Sequence, residues 1–227
     1  MEAQASRGSQ KEREVGPVQY APWLPGSFHN GVSMLRTAPV MLHRAGVFPK
    51  AGDPCLEVGF GWRGWLGILL NWGVRERDLH GIDIDPVQVN RGREVFPLAD
   101  LRVGDASNLP WKSNQFRLVI ASTLFTSLLN QNVRHQAADE ITRVLGEGGA
   151  LLWYDFAVNN PRNPAVRKVT RRELRQLFPR LRGEISSVTL AAPLARLIAP
   201  RSWALATLVE SIPLLRTHLL AVLVKHC

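Results

Sequence analysis

Gly59, Gly61 and Gly64 stand in the segment LEVGFGWRG, Leu56 to Gly64, as a GxGxxG. Glycines at that spacing permit a tight turn. Where such a turn opens a helix, its free backbone N–H groups face a bound ligand. Asp83 follows 24 positions after Gly59, in GIDIDP. A carboxylate placed there accepts hydrogen bonds from both hydroxyls of an adenosine ribose. Asp85 better fits the plainer role of capping the next helix. The loop and Asp83 point to an adenosine-containing cofactor and leave NAD and S-adenosylmethionine both open.

These residues work together only if the elements around them form a sheet with helical crossovers. A strand is predicted over about Cys55–Val58, a helix over about Trp62–Trp72 and a second strand over Leu79–Ile84. Pro86 then opens a helix that ends near Phe96. Short strands follow at Leu101–Val103 and Leu118–Ala121, then a helix at Val133–Leu145, a glycine turn at Gly148–Gly149 and a fifth strand, Ala150–Phe156. Ahead of them Met34–Leu42 reads as a leading helix in which Pro39 marks an irregularity or restart. Beyond them come a helix capped by Thr170 and two strands, Ile185–Leu190 and Leu219–Val224. The expected fold is α/β: a doubly wound, mostly parallel, seven-stranded sheet with helices on both faces. Residues 1–19 are expected to be a disordered tail and 20–227 a single domain. Within it 193–212 forms a helical insertion, as a lid or substrate region.

The 227 residues are 45% apolar and 21% charged, an ordinary globular balance with no apolar run of membrane-span length. The polar start predicts no signal peptide, and two cysteines, Cys55 and Cys227, give neither a disulfide framework nor a zinc pattern. The expectation is a cytoplasmic protein without a metal. Net charge is +9, and Pro161–Arg216 holds eleven Lys/Arg against three Asp/Glu. That excess is either a solvated face or an attraction to an anionic acceptor, a membrane surface or nucleic acid.

Three further segments follow in order: VGDASNLPW (Val103–Trp111), FRLVIAS (Phe116–Ser122) and EITRVLGEGGALLW (Glu140–Trp153). With Glu57 and the glycine loop, this ordered set resembles the class I S-adenosylmethionine-dependent methyltransferases over about Cys55–Phe156. The resemblance implies S-adenosylmethionine as cofactor. Gly59 and Gly61 would line its methionine part, Asp83 would hold the ribose, and Ile84 would pack on the adenine. Asp105 would read the adenine amine with Ala106 as backbone neighbour, and Ser122 would close over the other side. Glu57 would organise the glycine loop. The chain departs from the family's frequent GxGxG, with Arg63 at the fifth place and bulky Trp62 before it, and Gly146–Glu147 replaces the usual Lys–Pro.

Methyl transfer from a sulfonium is an in-line displacement with a neutral leaving group, so alignment carries most of the acceleration. A hydroxyl acceptor also needs a base. His29, His135, Tyr154 and Asp155 are the candidates, with Asp155 and His29 singled out as catalytic; Asp155 also has a structural hydrogen-bonding alternative. The expected acceptor is a small molecule bearing a hydroxyl or amine: a sugar, a lipid-linked compound or a secondary metabolite. ASTLFT at Ala121–Thr126 is unlike the NPPY of amide and exocyclic-base methylation. An RNA methyltransferase, motivated by the basic tail, a nicotinamide-dependent oxidoreductase and a non-catalytic cofactor-binding partner are the alternatives.

Overall fold

The computed structural model describes residues 21, 23–61, 64–159 and 166–226. The expected tail 1–19, Trp62, Arg63 and most of the loop after the fifth strand lie outside the described residues.

The strands β1 (Cys55–Val58), β2 (Leu79–Asp83), β3 (Asp100–Val103), β4 (Phe116–Ser122), β5 (Leu145–Phe156), β6 (Leu181–Leu190) and β7 (Arg216–Lys225) form one sheet, ordered β3-β2-β1-β4-β5-β7-β6. Its neighbours run parallel from β3 to β5, and β7 is antiparallel to both β5 and β6. β1 and β4 are buried almost throughout, as parallel strands covered on both faces must be. From β1 the chain winds outward to β2 and β3, then returns to β4 on the other side. That reversal places the topological switch point between β1 and β4, whose carboxyl ends lie level through the pair Val58 and Ala121.

Alternate side chains divide the core. Leu56, Val119, Leu151, Trp153 and Ala221 pack on one face with α4 (Gln131–Val144) and α5 (Arg171–Leu177). Cys55, Ile120, Leu152, Leu220 and Val222 pack on the other with α1 (Pro25–Arg44), α2 (Leu66–Asn71) and α3 (Pro86–Val95). Asp85 caps α3 by accepting from Val87 N at 2.9 Å, and Thr170 caps α5 by accepting from Glu173 N at 3.1 Å, as the sequence predicts. Between β6 and β7 stand α6 (Ala192–Ile198), α7 (Trp203–Glu210) and a 3₁₀ turn at Pro213–Leu215, the helical insertion. Leu190, Ala195, Ala199 and Ala206 give it a small core of its own.

Several boundaries differ from expectation. The strand β5 starts at Leu145 instead of Ala150, so Gly148 and Gly149, expected as a turn ahead of it, lie within the strand. The helix α1 continues unbroken through Pro39. Proline leaves the Leu35 carbonyl without its helical donor, but Leu35 and Val40 are exposed, so water can replace that bond. Helix α2 begins at Leu66 instead of Trp62, because the turn at Gly64 and Trp65 is held by a buried side chain described below. Finally, β6 and β7 are longer than predicted, paired from Leu181 with Lys225 to Leu190 with Arg216. The start of β6 is an edge strand joined by backbone bonds, and its Arg182, Gly183 and Glu184 carry no apolar alternation to announce it.

Candidate cofactor site at the switch point

The glycine loop leaves β1 through Gly59, whose N–H donates to the Ile82 carbonyl at 2.8 Å and so extends the β1–β2 ladder by one residue. Gly59 has φ +74° and Gly61 φ +51°, a region that L side chains rarely adopt. Among the described residues nothing lies within 4 Å of where a Cβ on Gly61 would stand; a Cβ on Gly59 would meet Leu124 at 3.1 Å. Asp83 ends β2 facing this turn. Its Oδ2 accepts from Gly61 N at 2.8 Å and its Oδ1 from Asp85 N at 2.9 Å. Each carboxylate oxygen thus takes one backbone bond and keeps a lone pair for a further donor. Beside it Ile84 is 60% exposed, an uncovered apolar side chain available to a flat ring.

Glu57 is buried beneath the loop, and its Oε2 accepts from Trp65 N at 2.6 Å. The same oxygen would lie 2.5 Å from a Cβ on Gly64, so glycine is required there by the carboxylate itself. Glu57 therefore organises the loop from below and fixes where α2 starts. Burial pushes its pKa up from 4.5 to about 8, against the opposing backbone bonds from Trp65 and Leu66. Asp105 stands in the turn after β3, its Oδ1 accepting from Ser107 N and Oγ at 2.8 Å each, while Ala106 packs against the core. Ser122 ends β4, and the next residue, Thr123, has φ +54° and donates its N–H to the Tyr154 carbonyl at 2.7 Å.

The two catalytic candidates do not meet. Asp155 is fully buried near the end of β5, with Oδ2 accepting from Thr126 N at 3.0 Å and Oδ1 from Phe156 N at 2.9 Å. Burial raises its pKa to about 6. Its carboxylate ties the segment after β4 to the end of β5. His29 lies in the seam between α1 and α7, buried, with Nε2 3.4 Å from Thr207 Oγ1 and 3.8 Å from Glu210 Oε2. Trp203 lies edge-on to its ring at 4.8 Å. Tyr154 is buried with its hydroxyl 3.0 Å from Thr189 Oγ1, and burial drives its pKa upward. His135 is on the exposed side of α4.

Two buried charges escaped the sequence reading. Glu210 accepts from the Ser33 hydroxyl, from Arg36 Nη2 at 3.2 Å and from Thr189 N at 3.3 Å, clasping α1, β6 and α7 together. Arg134 is fully buried, paired with Glu173 at 2.6 Å and donating to the Leu128 carbonyl at 2.5 Å. For Glu210 the available signal was its isolation, as the one acid between Ala191 and Thr217.

The buried groups give stability a sign with pH. The folded state favours the protonated Glu57 carboxyl, whereas the unfolded chain releases that proton near 4.5. Between 4.5 and about 8 the fold therefore binds the extra proton, and stability falls as pH rises through this window. Asp155 acts in the same sense from 3.8 to about 6. Buried His218, pushed down from 6.5 to about 3, acts in the opposite sense below 6.5. From pH 6.5 to 8 Glu57 alone of these three titrates, so the melting temperature is expected to decline there, and Glu57→Gln to flatten the decline. Calorimetric melts of both proteins across that range check it; equal slopes would remove Glu57 as the cause.

A switch point with a glycine turn on β1 and an acid on β2 defines a doubly wound α/β protein of the nucleotide-type ligand-binding class. Residues 55–149 match the family described as the methyltransferase domain. The chain carries a methyltransferase domain of the class I, S-adenosylmethionine-dependent kind, and S-adenosylmethionine is its cofactor. A search of curated proteins finds no match. Among solved structures, a provisionally assigned sarcosine dimethylglycine methyltransferase from Galdieria sulphuraria is similar with a TM-score of 0.64 at 16% identity, over 85% of this chain and 84% of that one. A TehB-like S-adenosylmethionine-dependent methyltransferase from Corynebacterium glutamicum has a TM-score of 0.57 at 18% identity, over 99% and 100% of the two chains. Geranyl diphosphate C-methyltransferase from Streptomyces coelicolor, in complex with Mg²⁺, geranyl diphosphate and S-adenosylhomocysteine, has a TM-score of 0.61 at 16% identity, over 84% and 77%. At these identities the likeness establishes the fold. No helix among the described residues is long and apolar enough to cross a membrane.

Proposed function

We propose that the chain methylates a hydroxyl or amine of a small-molecule acceptor, of the sugar, lipid-linked or secondary-metabolite kind, by in-line displacement. The observation that carries this reading is the packing of α1 against the insertion beside the end of the carboxyl edge where β6 ends and β7 begins. α1 and the insertion meet so closely that a Cβ on Gly26 would lie 2.8 Å from Arg196 N, and Glu210 clasps them from within. An edge flanked this way suits an acceptor small enough to enter beside these helices. The geranyl diphosphate held by one structure of the same fold is an acceptor of that size class.

In this reading Gly59 and Gly61 line the methionine part of the cofactor, and Asp83 holds the ribose. Ile84 packs on the adenine, Asp105 beside Ala106 meets its amine, and Ser122 closes the opposite side. The cofactor, when bound, supplies a methyl carbon made electrophilic by a sulfonium. The protein's part is orientation and exclusion of water. Asp155 serves as a positioning group, since both oxygens are taken by backbone N–H groups. His29 positions α1 against α7 through Thr207 and Glu210.

Incubation with radiolabelled S-adenosylmethionine and separate pools of sugars, lipid-linked sugars, small amines and RNA tests the acceptor. Label is expected in a small-molecule pool. Exposed Arg171, Arg172 and Arg175 on α5 favour the alternative of RNA. Label in RNA alone, falling steeply with salt, would establish that alternative and defeat the first reading.

A further inference from the structure

The insertion reverses the order usual for a surface helix. Along α7 the single charged residue, Glu210, turns inward and is buried, while Trp203, Leu205 and Leu208 face outward. Leu208 is 66% exposed and Leu214, in the following turn, 94%; Ile212 between them is exposed as well. Phe28 of α1 extends the patch, its exposed ring 5.7 Å from that of Trp203. A surface helix ordinarily presents its polar side outward, and contiguous exposed apolar side chains mark a place of contact.

Charge identifies what makes the contact. From Ala191 to Thr217 the charged residues are Arg196, Arg201, Glu210 and Arg216. Glu210 is withdrawn into the clasp with Arg36, so the exposed charge of the segment is Arg201, just ahead of α7, and no carboxylate of the segment faces outward. A second copy of the same face would oppose arginine with arginine. An anionic surface meets Arg201 and the apolar side chains at once, and an indole at the edge of such a patch suits the boundary between headgroups and acyl chains.

We propose that the outward face of α7, with Phe28, Ile212 and Leu214, docks on an anionic lipid bilayer. The apolar side chains enter the headgroup–acyl boundary and Arg201 approaches the lipid phosphates. Because β6 ends and β7 begins at the carboxyl edge of the parallel strands, docking sets the same edge that carries the glycine loop against the membrane side. This inference stands without the choice of acceptor made above.

The full chain would be sedimented with vesicles of phosphatidylcholine alone and of phosphatidylcholine mixed with phosphatidylglycerol. Binding is expected on the mixed vesicles at low salt. The pair Leu205→Gln and Leu208→Gln should weaken it by about tenfold while leaving stabilisation by S-adenosylhomocysteine intact, which shows that the variant is folded. Lack of binding to the mixed vesicles overturns the proposal, and so does binding that the paired substitution leaves unchanged. A dimer in sedimentation equilibrium that the pair dissolves also overturns it and gives the face to a second copy.

Discussion

Asp83→Ala is expected to weaken binding of S-adenosylhomocysteine about a hundredfold without unfolding the protein. Two hydroxyl bonds to a carboxylate contribute about 1.5 kcal/mol each at the low end, about 3 kcal/mol together, which is somewhat over a hundredfold. The substitution also frees Gly61 N, held at 2.8 Å by Oδ2, and so loosens the turn that faces the ligand. Asp83→Asn keeps an oxygen acceptor and should retain part of the affinity. Titration calorimetry on the three proteins, with circular dichroism to confirm their folding, measures this. An affinity of the alanine variant within about threefold of the parent would remove Asp83 from the ribose position.

Glu210→Ala should lower stability by about 3 kcal/mol, because it leaves buried donors without their acceptor instead of removing a matched pair. The Thr189 N–H and the Ser33 hydroxyl both point at this carboxylate from buried positions, and Arg36 loses its partner. For a chain of this length that corresponds to roughly 6 to 12 °C in melting temperature. Glu210→Gln retains an oxygen for one donor and should fall between the two. A loss below about 0.5 kcal/mol in the alanine variant would mean that the clasp is replaceable by water, a surface-like result.

The alternation of strand and helix from Cys55 to Phe156 was legible because parallel strands covered on both faces are short apolar runs, and the crossover helix α3 is announced by Asp85 and Pro86. Asp85 and Asp83 could be told apart by position alone, one ahead of Pro86 and one closing β2. The placement of Glu57 was legible only through resemblance; its grip on Trp65 N depends on a turn that no periodicity reveals. Pro39 misled because a proline's cost in a helix depends on whether its orphaned carbonyl reaches water, and that is a tertiary fact. Arg134 was unreadable for a related reason, and Glu210 was marked only by its isolation among apolar residues. Both sit on helices, and charged residues on helices default to the solvent side, yet here each faces inward toward partners distant in sequence. The insertion was visible as apolar and helical, but not which of its sides faces out.

Phe60 stands between two of the loop glycines, and its ring lies where side chains on Gly81 of β2 and Gly92 of α3 would otherwise reach. A Cβ on Gly81 would come within 2.8 Å of the ring and one on Gly92 within 3.0 Å. The ring is almost completely buried. The first turn of the glycine loop is thereby plugged into the core from behind, like a peg seated in a two-sided notch. A ligand arriving at Gly59 meets backbone whose disorder was already given up when the chain folded, so that entropy is not subtracted a second time from its affinity.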